Sequence, residues 1–581
     1  MKIPFTKYWD LLGKYLRPEW HRAALMMGLL IASIGLQLMV PLIVGDFIDA
    51  AMAGEAVTNL TRMGLLFLGL ALGKEVALLW TTYLGQDVRW RATNALRRDL
   101  TLHCLKLDMT FHNVRTPGEM IERVDGDVDE LSNFFSQFVI QIFGNVILLV
   151  GVLAMMFRED WRIGGAFLIF CLFTFFVLVK VVNFAVGQWE KAREASAELF
   201  GFLEERLAGT EDIAALGAGP YIMRRLSQAL TTHLVDSRLA WVKGAVIWML
   251  SLSIFTLGNI LAFAMGAIFF QKGILTIGAV YVIFHYTELL RRPLETITRQ
   301  MQDLQRAGGS IARIQELFEM QPTHEGGDEA SIAAGPLEVI FDEVNFSYSE
   351  GELTLAGLDF TLEPGQVLGL LGRTGSGKTT IARLLFRLYD PQEGGILLNG
   401  VNIRSPHLPA LRRKVAMVTQ DVQLFKATVR DNLTFFDRDI PDERVNEALD
   451  DLGLRAWVER LPKGLDTVLE SGGGGLSAGE AQLLAFTRVF LRDPGLVILD
   501  EASSRLDPAT EHLIEQAVDK LFENRTAIII AHRLATVQRA DRIMILENGR
   551  VVEAGLRASL ATDVHSRFFK LMETGLAEVL V

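Results

Sequence analysis

The sequence has few cysteines and no excess of positive charge, and both shortages exclude classes of protein. Only two cysteines occur in 581 residues, Cys104 and Cys171, so we expect no disulfide framework of the kind that holds small secreted domains together. Acidic residues outnumber basic ones, 69 to 57, and the formal net charge is -12. Because binding to a phosphate backbone depends on Lys and Arg, we expect no nucleic-acid partner.

Apolar residues make up 50% of the chain, and their distribution is uneven. Long uncharged runs crowd the part before about residue 300, whereas the rest has the composition of an ordinary soluble domain. The first run follows a basic stretch and lacks a small-residue cleavage site. We therefore expect it to be kept as a membrane helix, with no targeting segment removed.

Six apolar segments are predicted to cross the roughly 30 Å of bilayer hydrocarbon as helices. Charges interrupt two of them: Lys74 and Glu75 in one, and Glu288 in another. His285 and Glu288 fit a substrate path or an interhelical pair as well as they fit positions near a helix end that face water. The predicted spans are residues 23–44, 63–86, 131–157, 163–179, 244–271 and 273–290.

The distribution of Lys and Arg predicts the orientation of these helices, because basic residues near helix ends stay on the cytoplasmic side. The N-terminal segment and the long links at 87–130 and 184–243 are rich in both residues, whereas the other links are short and contain few. We expect a multi-pass protein in contact with the lipid bilayer of an inner or plasma membrane. A bacterial inner membrane is the expected setting, with the C-terminal half in the cytoplasm.

The two long cytoplasmic links have helical apolar spacing and few helix-breaking residues. This pattern predicts membrane helices that continue into the cytoplasm and turn near a Gly or Pro, within residues 111–131 and 206–226. A solvated connecting loop is the alternative, although links with this periodicity are uncommon as loops.

The composition changes after the membrane half. Residues 309–336 are rich in Gly, Ala and acidic residues, as is typical of a linker. Between residues 337 and 581, short β-branched or apolar runs alternate with helical stretches, which predicts an α/β domain with mostly parallel strands. The expected fold is therefore multidomain: an all-α six-helix transmembrane domain at 1–308, the linker, and an α/β cassette at 337–581.

A phosphate-binding loop follows the first apolar strand of the cassette. Residues 367–380 read VLGLLGRTGSGKTT, which is a strand, a G-x-x-x-x-G-K-T segment and the start of a helix. In such a loop the backbone N–H groups surround phosphates, Lys378 reaches the terminal phosphates and Thr379 holds Mg²⁺. A chance Gly-rich turn lacks this context. The predicted nucleotide contacts are Gly372, Arg373, Thr374, Gly375, Ser376, Gly377, Lys378, Thr379 and Thr380.

A second apolar strand ends in two carboxylates, in the sequence LVILDE at 496–501. Asp500 is suited to position Mg²⁺, and Glu501 is suited to activate water. Alone, such a strand often ends in solvated acids with no further role. After a phosphate-binding loop the catalytic interpretation is favoured, so ATP and Mg²⁺ are the expected cofactors and ATP hydrolysis the expected reaction.

Residues 476–507 read LSAGEAQLLAFTRVFLRDPGLVILDEASSRLD, which resembles the signature helix, Walker B strand and D-loop of ABC transporters. The resemblance extends over essentially the whole chain, since the turns within 111–131 and 206–226 resemble the coupling helices of type IV ABC exporters. It implies roles for six further residues: Gln420 in the Q-loop and at the metal, His532 as the switch histidine, Tyr348 as the adenine-stacking ring, Asp507 in the D-loop, and Ser477 and Gly479 in the signature.

In this family two cassettes enclose two ATP molecules, each between one phosphate-binding loop and the opposite signature. The resemblance therefore implies that this half transporter needs a second one, and that cassette closure drives alternating access through the coupling helices. The implied function is ATP-driven export of a hydrophobic or amphipathic small molecule, lipid or peptide. An importer on the same fold and a nucleotide-regulated channel or regulatory subunit stay open, although Glu501 argues against the latter.

The signature departs from the usual Leu-Ser-Gly-Gly-Gln of the family at Ala478 and Glu480. Ala478 adds a methyl group where the backbone approaches a γ-phosphate, and Glu480 adds negative charge at a helix N-terminus that faces this phosphate. Arg505 in the D-loop replaces a small residue. This pattern resembles one subunit of a heterodimeric exporter with unequal ATP sites, and a homodimer that tolerates a variant signature is the alternative.

Overall fold

The structure is a computed structural model that describes residues 13–133, 141–321, 331–349, 351–419, 422–470, 472, 476–500, 508–531 and 534–574. The chain divides into two compact units. One consists of Met1–Lys106 and Thr116–Met320, and the other of Leu107–Arg115 and Gln321–Val581. A short segment of the first cytoplasmic link thus belongs to the same unit as the C-terminal half.

The chain up to residue 319 is helical almost throughout its described part. A 3₁₀ turn at Arg17–Glu19 precedes the first long helix, and a π-helical turn at Glu122–Gly126 lies between two short ones. The α-helices are α1 Trp20–Met52, α2 Val57–Lys106, α3 Met109–Val114, α4 Pro117–Ile121, α5 Asp127–Asn133, α6 Gly144–Glu159, α7 Trp161–Ala208, α8 Thr210–Ala215, α9 Gly219–Gln271 and α10 Ile277–Glu319.

Five helical segments of the described chain are long and apolar enough to cross a membrane, and each contains or overlaps one of the first five predicted spans. They are Gly13–Met52, Val57–Lys106, Gln141–Glu159, Trp161–Ala208 and Gly219–Gln271. The sixth predicted span overlaps the start of α10, where the apolar stretch is short because charged residues begin at Glu288. A sixth crossing therefore stays a prediction.

Three of these helices are much longer than a bilayer is thick. α2, α7 and α9 contain 50, 48 and 53 residues. At about 1.5 Å per residue each extends roughly 70 to 80 Å, more than twice the hydrocarbon thickness. The two long links are thus largely helical, with α3 to α5 as short helices in the first link, and α8 forms the short turn predicted between α7 and α9.

The linker begins later than its composition predicted. Residues 309–319 were expected to belong to it, but they are the last three turns of α10. The apolar residues of this stretch, Ile311, Ile314 and Leu317, recur at helical spacing and are fully buried. Their burial favours helix, and it outweighs the local Gly and Ala content.

The cassette contains two sheets. An antiparallel four-stranded sheet has the order β2-β1-β4-β5, and a six-stranded sheet has the order β10-β9-β3-β8-β7-β6, in which β10 is antiparallel to β9 and the other neighbours are parallel. The strands are β1 Val339–Phe346, β2 Leu355–Leu362, β3 Val367–Gly372, β4 Glu393–Leu398, β5 Val401–Asn402, β6 Val415–Val418, β7 Leu496–Asp500, β8 Thr526–Ile530, β9 Arg542–Glu547 and β10 Arg550–Leu556.

Helices connect these strands, as the alternation of apolar runs and helical stretches predicts. All residues of β3 and β8 are buried, which is expected for parallel strands covered on both faces. The helices are α11 Lys378–Leu385, α12 Leu408–Lys414, α13 Val429–Thr434, α14 Asp442–Asp451, α15 Arg455–Arg460, α16 Ala478–Arg492, α17 Pro508–Phe522, α18 Leu534–Val537, α19 Arg557–Leu560 and α20 Arg567–Thr574, and a 3₁₀ turn occupies Gly464–Asp466.

The short helix α3 of the first cytoplasmic link packs on the cassette. Asp108 caps α3 by accepting a hydrogen bond from the Phe111 backbone N–H at 3.2 Å. Met109 packs against the buried apolar core beside the phosphate-binding loop, and the Asn113 side-chain amide donates to the phenolic oxygen of Tyr389. Burial raises the pKa of Tyr389, and its neutral phenolic oxygen accepts the hydrogen bond from Asn113.

We expect an ion pair between α5 and α10 to stabilise the membrane unit. Arg313 Nε donates to Asp127 Oδ2 at 2.8 Å, Arg313 Nη2 contacts the other carboxylate oxygen, and the Asp127 side chain is only 3% exposed. Replacing Asp127 with Asn should cost about 1–2 kcal/mol, because the pair is bidentate and its acid is buried. The measurement is the apparent Tm of the protein in detergent, which should fall by a few degrees.

The matched control is Asp129→Asn on the same helix. The Asp129 carboxylate also pairs with an arginine, Arg97 at 2.5 Å, but it is 54% exposed. An exposed pair of this kind contributes about 0–1 kcal/mol. Equal losses of Tm for the two variants would contradict a special contribution from the Asp127 pair.

Candidate nucleotide-binding site

The phosphate-binding loop, residues 372–380, connects β3 to α11 through backbone conformations that favour glycine. Gly372, Gly375 and Gly377 have φ values of 149°, 84° and 104°. A Cβ on Gly372 would lie 2.3 Å from the Leu546 carbonyl oxygen, and one on Gly377 would lie 2.6 Å from the Leu355 side chain. Larger residues at Gly372 or Gly377 would thus displace the loop from the sheet. Its backbone N–H groups would then no longer point toward a common phosphate position.

Lys378 is the first residue of α11 and is 6% exposed. Its Nζ donates to the carbonyl oxygens of Gly372 at 2.5 Å and Arg373 at 3.0 Å, so the ammonium group lies within the loop. Burial lowers the pKa of Lys378, and the negative charge of Asp500 opposes this shift. A phosphate bound in the loop would supply the anion that a buried ammonium group favours.

The hydroxyl oxygen of Ser376 is buried and lacks a hydrogen-bond partner among the described residues. The residue is 3% exposed, and its Oγ has no hydrogen-bond partner within the part of the chain that the structure describes. An unsatisfied buried hydroxyl costs about 1–3 kcal/mol. A phosphate oxygen in the loop would accept from this hydroxyl, so the site fits a nucleotide.

Tyr348 lies beside the phosphate-binding loop with a ring that is 39% exposed. Its phenolic oxygen is 3.2 Å from Thr380 Oγ1, and Arg383 Nη1 donates to it at 3.2 Å. The Tyr389 ring packs edge-on against it, with centroids 5.1 Å apart. These contacts fix the ring while part of it stays open to a base. Of the other loop residues, Thr379 is half-buried, and Arg373, Thr374 and Gly375 are exposed.

The other predicted residues follow the carboxyl ends of parallel strands that lie to one side of β3 in the six-stranded sheet. The strand register pairs Leu370 of β3 with Ile530 of β8, and Ile530 with Asp500 of β7. Asp500 is therefore the last strand residue at the edge that carries the phosphate-binding loop. The strands β6, β7 and β8 end one or two residues before Gln420, Glu501 and His532 respectively. These three residues and Asp507 lie outside the described residues.

The predicted signature segment, residues 476–480, forms the N-terminus of α16. Ser477 is the N-cap residue: its Oγ accepts from the Glu480 backbone N–H at 3.2 Å, and the Glu480 carboxylate accepts from the Ser477 backbone N–H at 2.8 Å. This is a complete capping box. Ala478 is exposed at the tip of the helix and Gly479 is buried.

Two contacts near the site were not predicted. Arg383 lies about one turn after Thr380 on α11, so helical periodicity could have indicated its contact with Tyr348. Asn113 and Tyr389 are 276 residues apart, and no sequence pattern connects them. The sequence placed the turn of the first cytoplasmic link within residues 111–131, but it did not predict the hydrogen bond between this link and the cassette.

Comparisons with known proteins agree with both halves of the chain. A family model described as ABC transporter transmembrane region matches residues 24–294, and one described as ABC transporter matches residues 355–504. The uncharacterized ABC transporter ATP-binding protein YfiC of Bacillus subtilis (strain 168) is 31% identical over 553 residues, which are 93% of this chain and 90% of the relative.

Two further comparisons concern transporters of the exporter type. The ATP-dependent lipid A-core flippase of Idiomarina loihiensis is 30% identical over 506 residues, 84% of each chain. The solved structure of a bacterial Atm1-family ABC exporter with ATP bound is similar with a TM-score of 0.78 and 25% identity, over 96% of this chain and 98% of that one.

The matches cover the membrane helices and the cassette, and the phosphate-binding loop with its buried Lys378 and unsatisfied Ser376 is built to hold a nucleotide. The protein is thus a multi-pass membrane ATPase with its cassette in the cytoplasm, and its transport is ATP-driven export. The chain belongs to the ABC transporter family, as a half transporter of the type IV exporter fold.

Proposed function

We propose that this half transporter exports a hydrophobic or amphipathic compound together with a second, different half transporter, in a pair with unequal ATP sites. The lipid A-core flippase relative supports the substrate class by its name. The observation that carries the unequal sites is the negatively charged Glu480 carboxylate at the N-terminus of α16, where the usual signature has a neutral glutamine. A homodimer that tolerates the variant signature is the competing assembly.

The N-terminus of α16 is poorly suited to a γ-phosphate. In this family it faces the nucleotide held by the opposite cassette, where free N–H groups and the helix dipole attract the anion. Here the Glu480 carboxylate accepts from the Ser477 N–H at 2.8 Å. Its full negative charge exceeds the roughly half positive charge of a helix N-terminus. The same contact that stabilises the helix therefore repels the phosphate.

The phosphate-binding loop retains the features that a hydrolysing site needs. Lys378 is buried among loop carbonyls, and the three glycines keep the backbone close to where phosphates bind. In the proposed pair, this loop and Glu501 meet the partner's signature at the active site. The partner's loop meets residues 476–480 of this chain at the slow site.

We propose that Thr379, Asp500 and Gln420 hold Mg²⁺. Among the described residues no group of three or more His, Cys, Asp or Glu side chains could bind a metal alone, so the ion depends on hydroxyl and phosphate oxygens as well. Oxygen ligands supplied partly by the nucleotide are those that Mg²⁺ favours. When bound, the ion neutralises charge on the terminal phosphates.

The remaining predicted residues take the roles that the family implies. Glu501 orients and deprotonates the attacking water, His532 and Gln420 contact the γ-phosphate region, and Tyr348 stacks on adenine. Asp507 acts at the interface between the two cassettes. Closure of the cassettes is transmitted to α2 through α3, which Met109 and Asn113 attach to the cassette.

Replacing Lys378 with Met should lower ATP affinity at least about tenfold, because the ammonium group supplies the charge-assisted contact to the terminal phosphates. The measurement is titration with a fluorescent ATP analogue. Lys426→Met is the control, since the Lys426 side chain is largely exposed and pairs with the exposed Glu470. Unchanged affinity in Lys378→Met would contradict the assignment of the site.

Glu480→Gln tests the unequal sites with little effect on folding. A glutamine keeps the capping box but removes the negative charge. Combined with Ala478→Gly, it should raise the ATPase rate of the chain purified alone several-fold, because both sites of a homodimer contain this signature. An ATPase rate that does not change would mean that the variant signature is tolerated, and would remove the reason for a heterodimer.

The contact between α3 and the cassette should affect coupling more than ATP binding. Met109→Ala with Tyr389→Phe removes an apolar contact and a hydrogen bond, together about 1–2 kcal/mol, so substrate transport per ATP should fall roughly 5- to 30-fold. The measurement compares transport and ATPase rates in the same proteoliposomes. Val114→Ala on the same helix is exposed and should leave the ratio unchanged. A normal ratio in the double variant would contradict the coupling role of α3.

A further inference from the structure

α10 has one buried apolar face and one polar and aromatic face inside the membrane unit. The buried face packs in the apolar core and includes Val282, Ile283, Tyr286 and Leu290. Along the opposite face, Tyr281 and His285 are half-buried and Glu288 is exposed, at spacings of four and three residues. A charged group on such a face does not face lipid tails, so this face borders a polar pathway or a partner.

On the predicted sixth crossing, which the start of α10 would form, Glu288 lies near the middle of the membrane. It is eleven residues after the start of α10 at Ile277, about 17 Å along the helix. Its hydrogen-bond partner Asn259 is twelve residues before the end of α9 at Gln271, about 18 Å along that helix. Both depths are about half of the roughly 30 Å hydrocarbon thickness. The two helices therefore place the same contact at mid-depth.

Glu288 has no Lys or Arg partner within the described residues, and its charge interacts there with His285 of the same helix. Its Oε1 accepts from Asn259 Nδ2 at 2.5 Å, and it takes part in no ion pair there. Asn259 Oδ1 is itself buried with no partner in the described chain. By contrast, Glu295 on α10 pairs with Arg291 at 3.3 Å, and Glu75 pairs with Lys74 at 2.7 Å. Glu288 thus differs from these carboxylates in lacking a Lys or Arg partner among the described residues.

Aromatic residues lie about one helical turn from the contact between Asn259 and Glu288 on both helices. Phe263 of α9 and Phe284 of α10 stack with centroids 4.8 Å apart, each one turn from the contact between Asn259 and Glu288. His285 stacks on Tyr281, with ring centroids 5.9 Å apart. A carboxylate next to aromatic faces is the combination that binds an organic cation, through charge and cation–π contacts.

We propose that Glu288, positioned by Asn259, binds the positive charge of an amphipathic organic cation during transport. Phe263, Tyr281 and Phe284 contact the apolar part of this substrate. The inference rests on the proposed export function and narrows its substrate class to cationic amphiphiles.

The test compares two ions of the same size and shape with opposite charge, tetraphenylphosphonium and tetraphenylborate. Equilibrium binding is measured on the assembled transporter in phosphatidylcholine nanodiscs, without nucleotide, and binding to empty nanodiscs is subtracted. The wild type should bind the cation about tenfold more tightly than the anion, and Glu288→Gln should abolish this preference. Because no ATP is used, a failure of the export or unequal-site proposals leaves this result intact.

Glu288→Asp keeps the charge and should keep the preference, which separates loss of charge from damage to the fold. Asn259→Ala should weaken cation binding several-fold. Glu75→Gln is the matched control, because Glu75 is a carboxylate of a predicted membrane span that already pairs with Lys74. This variant should bind the two test ions as the wild type does. A wild type without preference for the cation, or a Glu288→Gln variant that retains it, overturns the proposal. If the wild type shows no preference for the cation and the transporter with Glu288→Gln dissociates into single subunits, the proposal is overturned, and Glu288 pairs with a cation of the partner subunit instead.

Discussion

The nucleotide site depends on the parallel pairing of β3, β8, β7 and β6. These strands are buried on both faces and end at one edge, since Leu370, Ile530 and Asp500 are held in register by the sheet. A shift by one residue would expose the buried faces of the strands. The apolar packing of the sheet therefore positions the phosphate-binding loop and the strand ends that precede Gln420, Glu501 and His532, before any nucleotide binds.

In the signature helix α16, a contact that stabilises the fold opposes nucleotide binding. The hydrogen bonds between Ser477 and Glu480 satisfy the N-terminus of α16, which favours the folded cassette. The same carboxylate places negative charge where the family binds phosphate. A partner with an unaltered signature would relieve this conflict at one of two sites, and this is the physical basis of the proposed heterodimer. In the membrane unit, Glu288 shows a similar pattern, because a carboxylate with no Lys or Arg partner among the described residues favours a bound cation or water.

The sequence predicted those features that depend on local spacing. The phosphate-binding loop, the buried strands before it and at LVILD, and the long helices of the cytoplasmic links all follow from the positions of Gly, apolar and basic residues. The end of α10 was not predicted, because burial of Ile311 and Leu317 decides it and composition does not. The bond between Asn113 and Tyr389 joins distant segments, so only the tertiary structure reveals it.

ATPase activity of the wild type and of Glu501→Gln, measured for this chain alone and together with a co-expressed second half transporter, tests the central claim most directly. The account predicts turnover chiefly in the mixed pair, and its loss when Glu501 of this chain is replaced. Full Glu501-dependent turnover by the chain alone would contradict the unequal sites, and the altered signature would then be a variant that a homodimer tolerates.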